Sequence, residues 1–375
     1  MKIFSCDTCR HPVFFENVQC LNCGSTLAFL PDQLNVAALQ AAPSPQDASP
    51  SAPLWQRASA PEPRRTYRMC LNHDLYQACN FAVPAEDPNP LCISCRQTRV
   101  LPDLSLQANQ HRWYLIEIAK RRLFYTLARL GLANTENRAQ GEQGPVFAFL
   151  AEQPGGPPVM TGHQDGLITL NVAEADDDER ARRRVLLREP YRTLLGHLRH
   201  ESGHYYWNQL IRDAGRLAAF RQIFGDESVD YGQALQQYYA SGPSGDDWQT
   251  AHVSSYATAH PWEDWAETWA HYLHMVDLLE TAAAFHANLV VPGTAPMPRE
   301  GVSNPFDTPE TDFTQLVQQW VPVTLMLNSL NRSLGQNDAY PFALSAGALH
   351  KLRFVHDVIH DSTTRPSVDD ANDTP

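Results

Sequence analysis

From Trp113 to Leu132 the run WYLIEIAKRRLFYTLARLGL repeats apolar residues at helical spacing and sets Gly131 where a helix would stop, so one long helix is predicted there. PVFAFLAE and GLITLNVAE are short and rich in apolar and β-branched residues, with GHQDG before the second as turn chemistry. They are predicted strands of a small sheet. Beyond them the helical period returns in LLGHLRHESGHYYW, in segments running through LQQYYA, and in HPWEDWAETWAHYLHMVDLLETAAAF. Two more helices are predicted around TDFTQLVQQWVPVTLMLNSL and LSAGALHKLRFVHDVIH. EADDDERARRR mixes both charges and reads as a solvated helical face.

The N-terminal part has another character. All eight cysteines lie before residue 96 in two groups, Cys6, Cys9, Cys20 and Cys23, then Cys70, Cys79, Cys92 and Cys95. Between the groups, residues 37–65 are dominated by Ala, Pro and Ser, a composition that predicts a flexible linker because it offers little apolar surface to offset chain ordering. The expected layout is therefore a cysteine module at 1–36, the linker at 37–65, a second module at 66–107, a main domain at 108–360 and a disordered tail from Asp361.

A chain of 375 residues can bury a full-sized core. Its net charge of −13 argues against non-specific phosphate binding by the whole molecule, so nucleic acid is not the expected partner. No stretch approaches the roughly 20 apolar residues that span a bilayer, and MKIFSCDTCR lacks the apolar region of an export signal. A cytoplasmic protein without membrane partners is expected. In that compartment cysteines are thiols or metal ligands rather than disulfides.

Within LLGHLRHESGHYYW, His200 and His204 stand four apart, which on a helix turns them only about 40° from each other. Both can face one ion, while Glu201 on the adjoining side can reach a water there as general base. Leu and aromatic neighbours make the helix otherwise apolar, and ionisable groups carried into a core without partners are costly. Zinc bound by two histidines needs a third ligand and an open position. Glu263 on the next aromatic-rich helix is the preferred candidate, with Asp264 as competitor pointing about 100° away. Glu267, one turn after Glu263, can accept the other N–H of a ligating histidine. His197, His271 and His274 read as structural, and His260 as substrate-binding or without function. Tyr256 could donate to an oxyanion.

Cys6, Cys9, Cys20 and Cys23 form paired C-x-x-C knuckles that can enclose a structural zinc, with a redox pair as the alternative. Cys70, Cys79, Cys92 and Cys95 are expected to hold a second structural zinc, with His73 able to replace one thiolate and four buried thiols as the alternative.

With these residues in view, the chain resembles bacterial zinc-ribbon-bearing metallopeptidases, through FSCDTCRHPVFFENVQCLNCG, CNFAVP with LCISCR, TGHQDGLITLNVAEAD, EPYRTLLGHLRHESGHYYW and SSYATAHPWEDWAETWAHYLH. Its catalytic part is also similar to the lethal-factor type of gluzincin, in which a tyrosine, a zinc-binding glutamate and a second glutamate are arranged as Tyr256, Glu263 and Glu267 are here. The resemblance favours Glu263 over Asp264 and strengthens Tyr256. It implies an α+β fold, a mostly helical zincin-like domain with a small sheet, preceded by two zinc-ribbon-like modules. It implies one catalytic and two structural Zn2+ ions and a peptide or protein substrate, with a protein partner for the cysteine modules as a further expectation. The rival expectation is a zinc-stabilised adaptor with a non-catalytic helical part, in which Arg64, Arg65 and Arg68 help the modules bind protein or nucleic acid.

Overall fold

The computed structural model describes residues 1–43, 53–61, 64–133, 144–187, 192–243, 245, 247–291, 301–307 and 311–364. The chain divides into two compact units, Met1–Thr161 with Leu167–Glu179, and Gly162–Gly166 with Arg180–Pro375.

The first unit begins with the antiparallel pair β1 (Phe4–Ser5) and β2 (Pro12–Val13). Five antiparallel strands then follow in sheet order: β3 (Thr26–Leu30), β4 (Asn35–Ala41), β5 (Trp55–Arg57), β6 (Thr66–Met69) and, after the short helix α1 (Leu71–Tyr76), β7 (Ala82–Pro84). A bridge between Phe29 and Phe81, with Phe29 N donating to Asn80 O at 2.8 Å, brings β3 beside β7. The sheet thus curls toward closure, which leaves little unpaired edge.

This sheet corrects two expectations. The ends of the 37–65 segment are strands rather than linker, because Ala37, Ala38 and Leu39 need little apolar area of their own when the facing strands supply it. Residues 44–52 and 62–63 of that segment lie outside the described residues. The cysteine modules are also not separated: β6 and β7 complete a sheet that β3, β4 and β5 begin. One core joins Phe4, Phe15, Phe29, Phe81, Phe124 and Tyr125.

After β8 (Thr98–Val100) comes α2 (Gln107–Arg129), which starts before Trp113 and stops ahead of Gly131, where φ is +73°. It buries Trp113, Ile116, Leu123, Phe124 and Leu127. Next in the chain are β9 (Val146–Leu150), β10 (Gly162–Gln164) and β11 (Leu167–Asn171), with β9 lying parallel between β8 and β11 as the two apolar runs suggest.

The mixed-charge run forms α3 (Asp177–Leu187), and the second unit continues with α4 (Leu194–Trp207), α5 (Leu217–Phe224), α6 (Tyr231–Ser241), α7 (Pro261–Ala284), α8 (Phe313–Ser333) and α9 (Ala346–Thr364). Asp361 to Thr364 extend α9 instead of opening a tail, and the rest of the expected tail lies outside the described residues. Thr193 starts α4 by accepting from Gly196 N at 2.9 Å. His260 starts α7, its Nδ1 accepting from Trp262 N at 3.0 Å, with Pro261 at the first helical position, where no donor is lost. α4 and α7 pack together, and α7 also packs against α8 and α9. Among the described residues no helix is long and apolar enough to cross a membrane.

Candidate functional site

The packing of α4 on α7 is close because small residues meet. A Cβ on Gly203 would come within 3.0 Å of Ala266 Cα and 3.1 Å of Trp269 Cδ1. The two tryptophans on that face of α7 hydrogen-bond to α4: Trp265 Nε1 donates to Gly203 O at 2.9 Å and Trp269 Nε1 to Ser202 Oγ at 3.1 Å. Helix register therefore fixes where His200, His204 and Glu263 point.

Those three side chains converge. His200 Nε2 is 3.0 Å from Glu263 Oε2, and His204 Nε2 is 3.5 Å from Glu263 Oε1. A tetrahedral zinc with ligand bonds of about 2.0–2.1 Å would set donor-to-donor edges of about 3.3 Å, and one ligand atom from each of the three residues lies within 4.8 Å of the others, close enough to close on one ion with small side-chain adjustment. The donor set fits zinc in type as well, two imidazoles and a carboxylate. Burial alone would keep the Glu263 carboxyl neutral, but His204 and His200 hold its pKa well below the usual range. Burial works against charge on His200 too, and Glu263 and Glu267 override it, raising its pKa well above the ordinary imidazole value. The cluster is thus built to concentrate charge in a dry place.

Glu267 Oε1 lies 2.7 Å from His200 Nδ1, while its Oε2 accepts from Ser254 Oγ at 2.6 Å. Glu201 is 8% exposed, and burial pushes its carboxyl pKa up even with His200 and His204 nearby. Tyr256 occupies a short 3-10 turn before α7, its ring 6.0 Å from that of His200. Asp264 stands apart from the ligand group, with Lys351 Nζ on its Oδ2 and His252 Nε2 at 3.6 Å. The remaining histidines also have other places: His271 Nδ1 meets Tyr340 OH, His274 Nδ1 meets Arg199, His260 caps α7, and His197 is not in the ligand group.

Sequence reasoning misses several neighbours. Tyr231, the first residue of α6, donates from its hydroxyl to Glu263 Oε1 at 2.6 Å. Trp262 lies against His204 with ring centroids 4.0 Å apart, and His163 of β10 stacks on His204 at 6.1 Å. The aromatic crowding of HPWEDW hinted at Trp262, and GHQDG carried His163. Nothing local marked Tyr231 among the 13 tyrosines.

Each cysteine quartet comes together within 4.8 Å. Cys6 and Cys23 sulfurs are 3.7 Å apart, Cys9 and Cys20 3.6 Å, and Cys79 and Cys92 3.7 Å. Those spacings match the edge of about 3.8 Å for thiolates at about 2.3 Å from a tetrahedral zinc, and they are far longer than a disulfide. His73 does not replace a thiolate: its Nδ1 sits 2.9 Å from Cys79 O. The arginines beside the second quartet are engaged within the fold, Arg64 with Ala60 O, Arg65 with Asp32 and Glu86, and Arg68 with Asp87 O.

The chain has matches among known protein families in both of its parts. Residues 109–358 match the family described as "Putative zinc-binding metallo-peptidase", and residues 3–106 match a zinc-ribbon domain. An uncharacterized protein of Mycobacterium bovis is 40% identical over 365 residues, 96% of this chain and 96% of its own. Uncharacterized proteins from two strains of Mycobacterium tuberculosis are 40% identical over the same share of each chain. No solved structure matches the chain.

Proposed function

The chain belongs to the family described as "Putative zinc-binding metallo-peptidase", and from that premise we propose that it hydrolyses peptide bonds in a peptide or protein substrate at the site formed by His200, His204 and Glu263. The observation that carries this reading is the convergence of three zinc-type donors beside Glu201, a buried carboxyl with raised proton affinity on the same helix. A zinc ion held there supplies a Lewis acid that polarises a carbonyl and makes water nucleophilic near neutral pH.

The protein's own groups do the rest. Glu201 takes the proton of the water that attacks the carbonyl carbon and passes it to the departing amine. Its burial suits both halves of that task, because a carboxylate with raised pKa is a stronger base and a usable acid at neutral pH. Glu267 accepts the Nδ1 proton of His200, which leaves the Nε2 lone pair facing Glu263 and the metal position. The Tyr256 hydroxyl donates to the oxyanion of the tetrahedral species, a role the lethal-factor resemblance supports. The two cysteine quartets take structural zinc with no open position, and the ribbon presents protein partners or substrate to the peptidase part. Thiol quartets of this kind suit the reducing cytoplasm.

Glu201→Gln tests the mechanism. The variant should keep wild-type zinc content while cleavage of a peptide library, read by mass spectrometry, falls by roughly 10²-fold or more. Undiminished cleavage would remove Glu201 from the mechanism.

A further inference from the structure

The two cysteine quartets differ in their surroundings. Cys23 is exposed and Cys9 half-buried, so water can solvate the first centre, whereas Cys70, Cys79, Cys92 and Cys95 are all buried. Four thiolates around one Zn2+ leave net negative charge, and a charge out of reach of water is costly without a nearby opposite charge.

One buried cation lies beside the second quartet. Arg121 of α2 is 2% exposed, and its Nη1 donates at 2.8 Å to the carbonyl of Ala78, the residue before Cys79. Arg121 and Cys79 line the same cavity. The carboxylate on the helix, Glu117, has its Oε1 engaged by Lys120 at 2.9 Å, by Thr98 and by Trp113, while its Oε2 has no hydrogen-bond partner among the described residues and makes no hydrogen bond to Arg121. Among the described residues the Arg121 guanidinium has no carboxylate hydrogen bond, and its Nε has no partner at all. Burial works against its charge, yet Cys79, Cys95, Glu117 and Cys92 around it hold its pKa above the ordinary arginine value. Three thiols of the second quartet are therefore among the groups that favour charge on this desolvated guanidinium, and thiolates around a zinc would favour it further.

We propose that Arg121 is the counter-ion of the second tetrathiolate zinc centre, and that this pairing fastens α2 to the zinc ribbon. Arg121 is a positioning residue for the metal centre, and the inference rests on zinc at that quartet, independently of peptide hydrolysis. Phe124 and Tyr125, on the same helix, pack into the ribbon core with Phe4, Phe15, Phe29 and Phe81, so zinc, guanidinium and aromatic core hold α2 together. The consequence crosses a sequence boundary. The quartet lies in the ribbon match at 3–106 and Arg121 in the peptidase match at 109–358, although both belong to one compact unit.

The test uses full-length wild type, Arg121→Met, which keeps bulk without charge, and Arg121→Lys, which keeps charge. Each is exposed to excess chelator and a thiol-alkylating reagent, and modified cysteines are mapped over time by mass spectrometry. In Arg121→Met, the Cys70, Cys79, Cys92 and Cys95 set should be alkylated at least tenfold faster than in wild type. Cys6, Cys9, Cys20 and Cys23 should keep their wild-type rate, and Arg121→Lys should fall between. A wild-type rate for the second quartet in Arg121→Met, or equal acceleration in both variants, would overturn the proposal. Should the methionine variant not fold, hydrogen exchange on wild type decides: zinc removal from the second quartet must raise exchange across 107–129, and unchanged exchange there would overturn it equally.

Discussion

Glu263 is held from three sides, by His200, by His204 and by the Tyr231 hydroxyl at 2.6 Å, and of these Tyr231 is the one that would orient the carboxylate without being in the candidate ligand group. Tyr231→Phe removes that one donor and leaves the ring. Affinity for zinc at the histidine site should drop by about 10–100-fold in competition titrations, the usual cost of losing a group that orients a ligand. Unchanged affinity would make the hydrogen bond incidental. His200, Glu201 and His204 were legible because their relation is local, fixed by one helical turn. Glu263 and Glu267 were legible for the same reason once α7 was recognised. The partner that occupies Asp264 instead is Lys351, far along the chain, and the Tyr231 contact depends on where α6 brings its hydroxyl to Glu263. Neither contact leaves a periodic trace.

At the scale of elements, the α4–α7 contact determines the site. In Gly203→Ala the new methyl would meet the Ala266 backbone, which cannot rotate away as a side chain could. The variant should lose about 1–3 kcal/mol of stability, measured as a shift in urea midpoint, and should also bind zinc more weakly as the helices separate. Full stability with full zinc binding would mean that the contact has slack. Long helices with strong periodicity, α2 and α7 above all, were readable along with the β9 and β11 strands. The β4 and β5 strands were not, since Ala37 and Ala38 become core through the strands that cover them, while composition reports only what a segment contributes itself.

The whole molecule shows a division that neither charge nor composition announced: the sheet of β8, β9 and β11 and the helix α2 belong with the ribbon, and the second unit carries the histidine site. Acid should weaken that second unit. His271 is buried against the Tyr340 hydroxyl, and burial lowers its pKa to about 4 although Glu267 opposes the shift. A histidine kept neutral in the fold contributes stability that is present above the unfolded value of about 6.5 and is lost as pH falls toward its folded value. Between those limits unfolding free energy should decline by up to about 1.4 kcal/mol per pH unit on its account, and His271→Asn should show a shallower decline in urea titrations. Parallel curves for the two proteins would contradict this. If His200, His204 and Glu263 hold a zinc ion apart from the cysteine centres, zinc per chain by elemental analysis will register it. Wild type and a His200→Ala, His204→Ala double variant, purified identically, should differ by one equivalent; equal zinc in both would mean that the histidine site holds none.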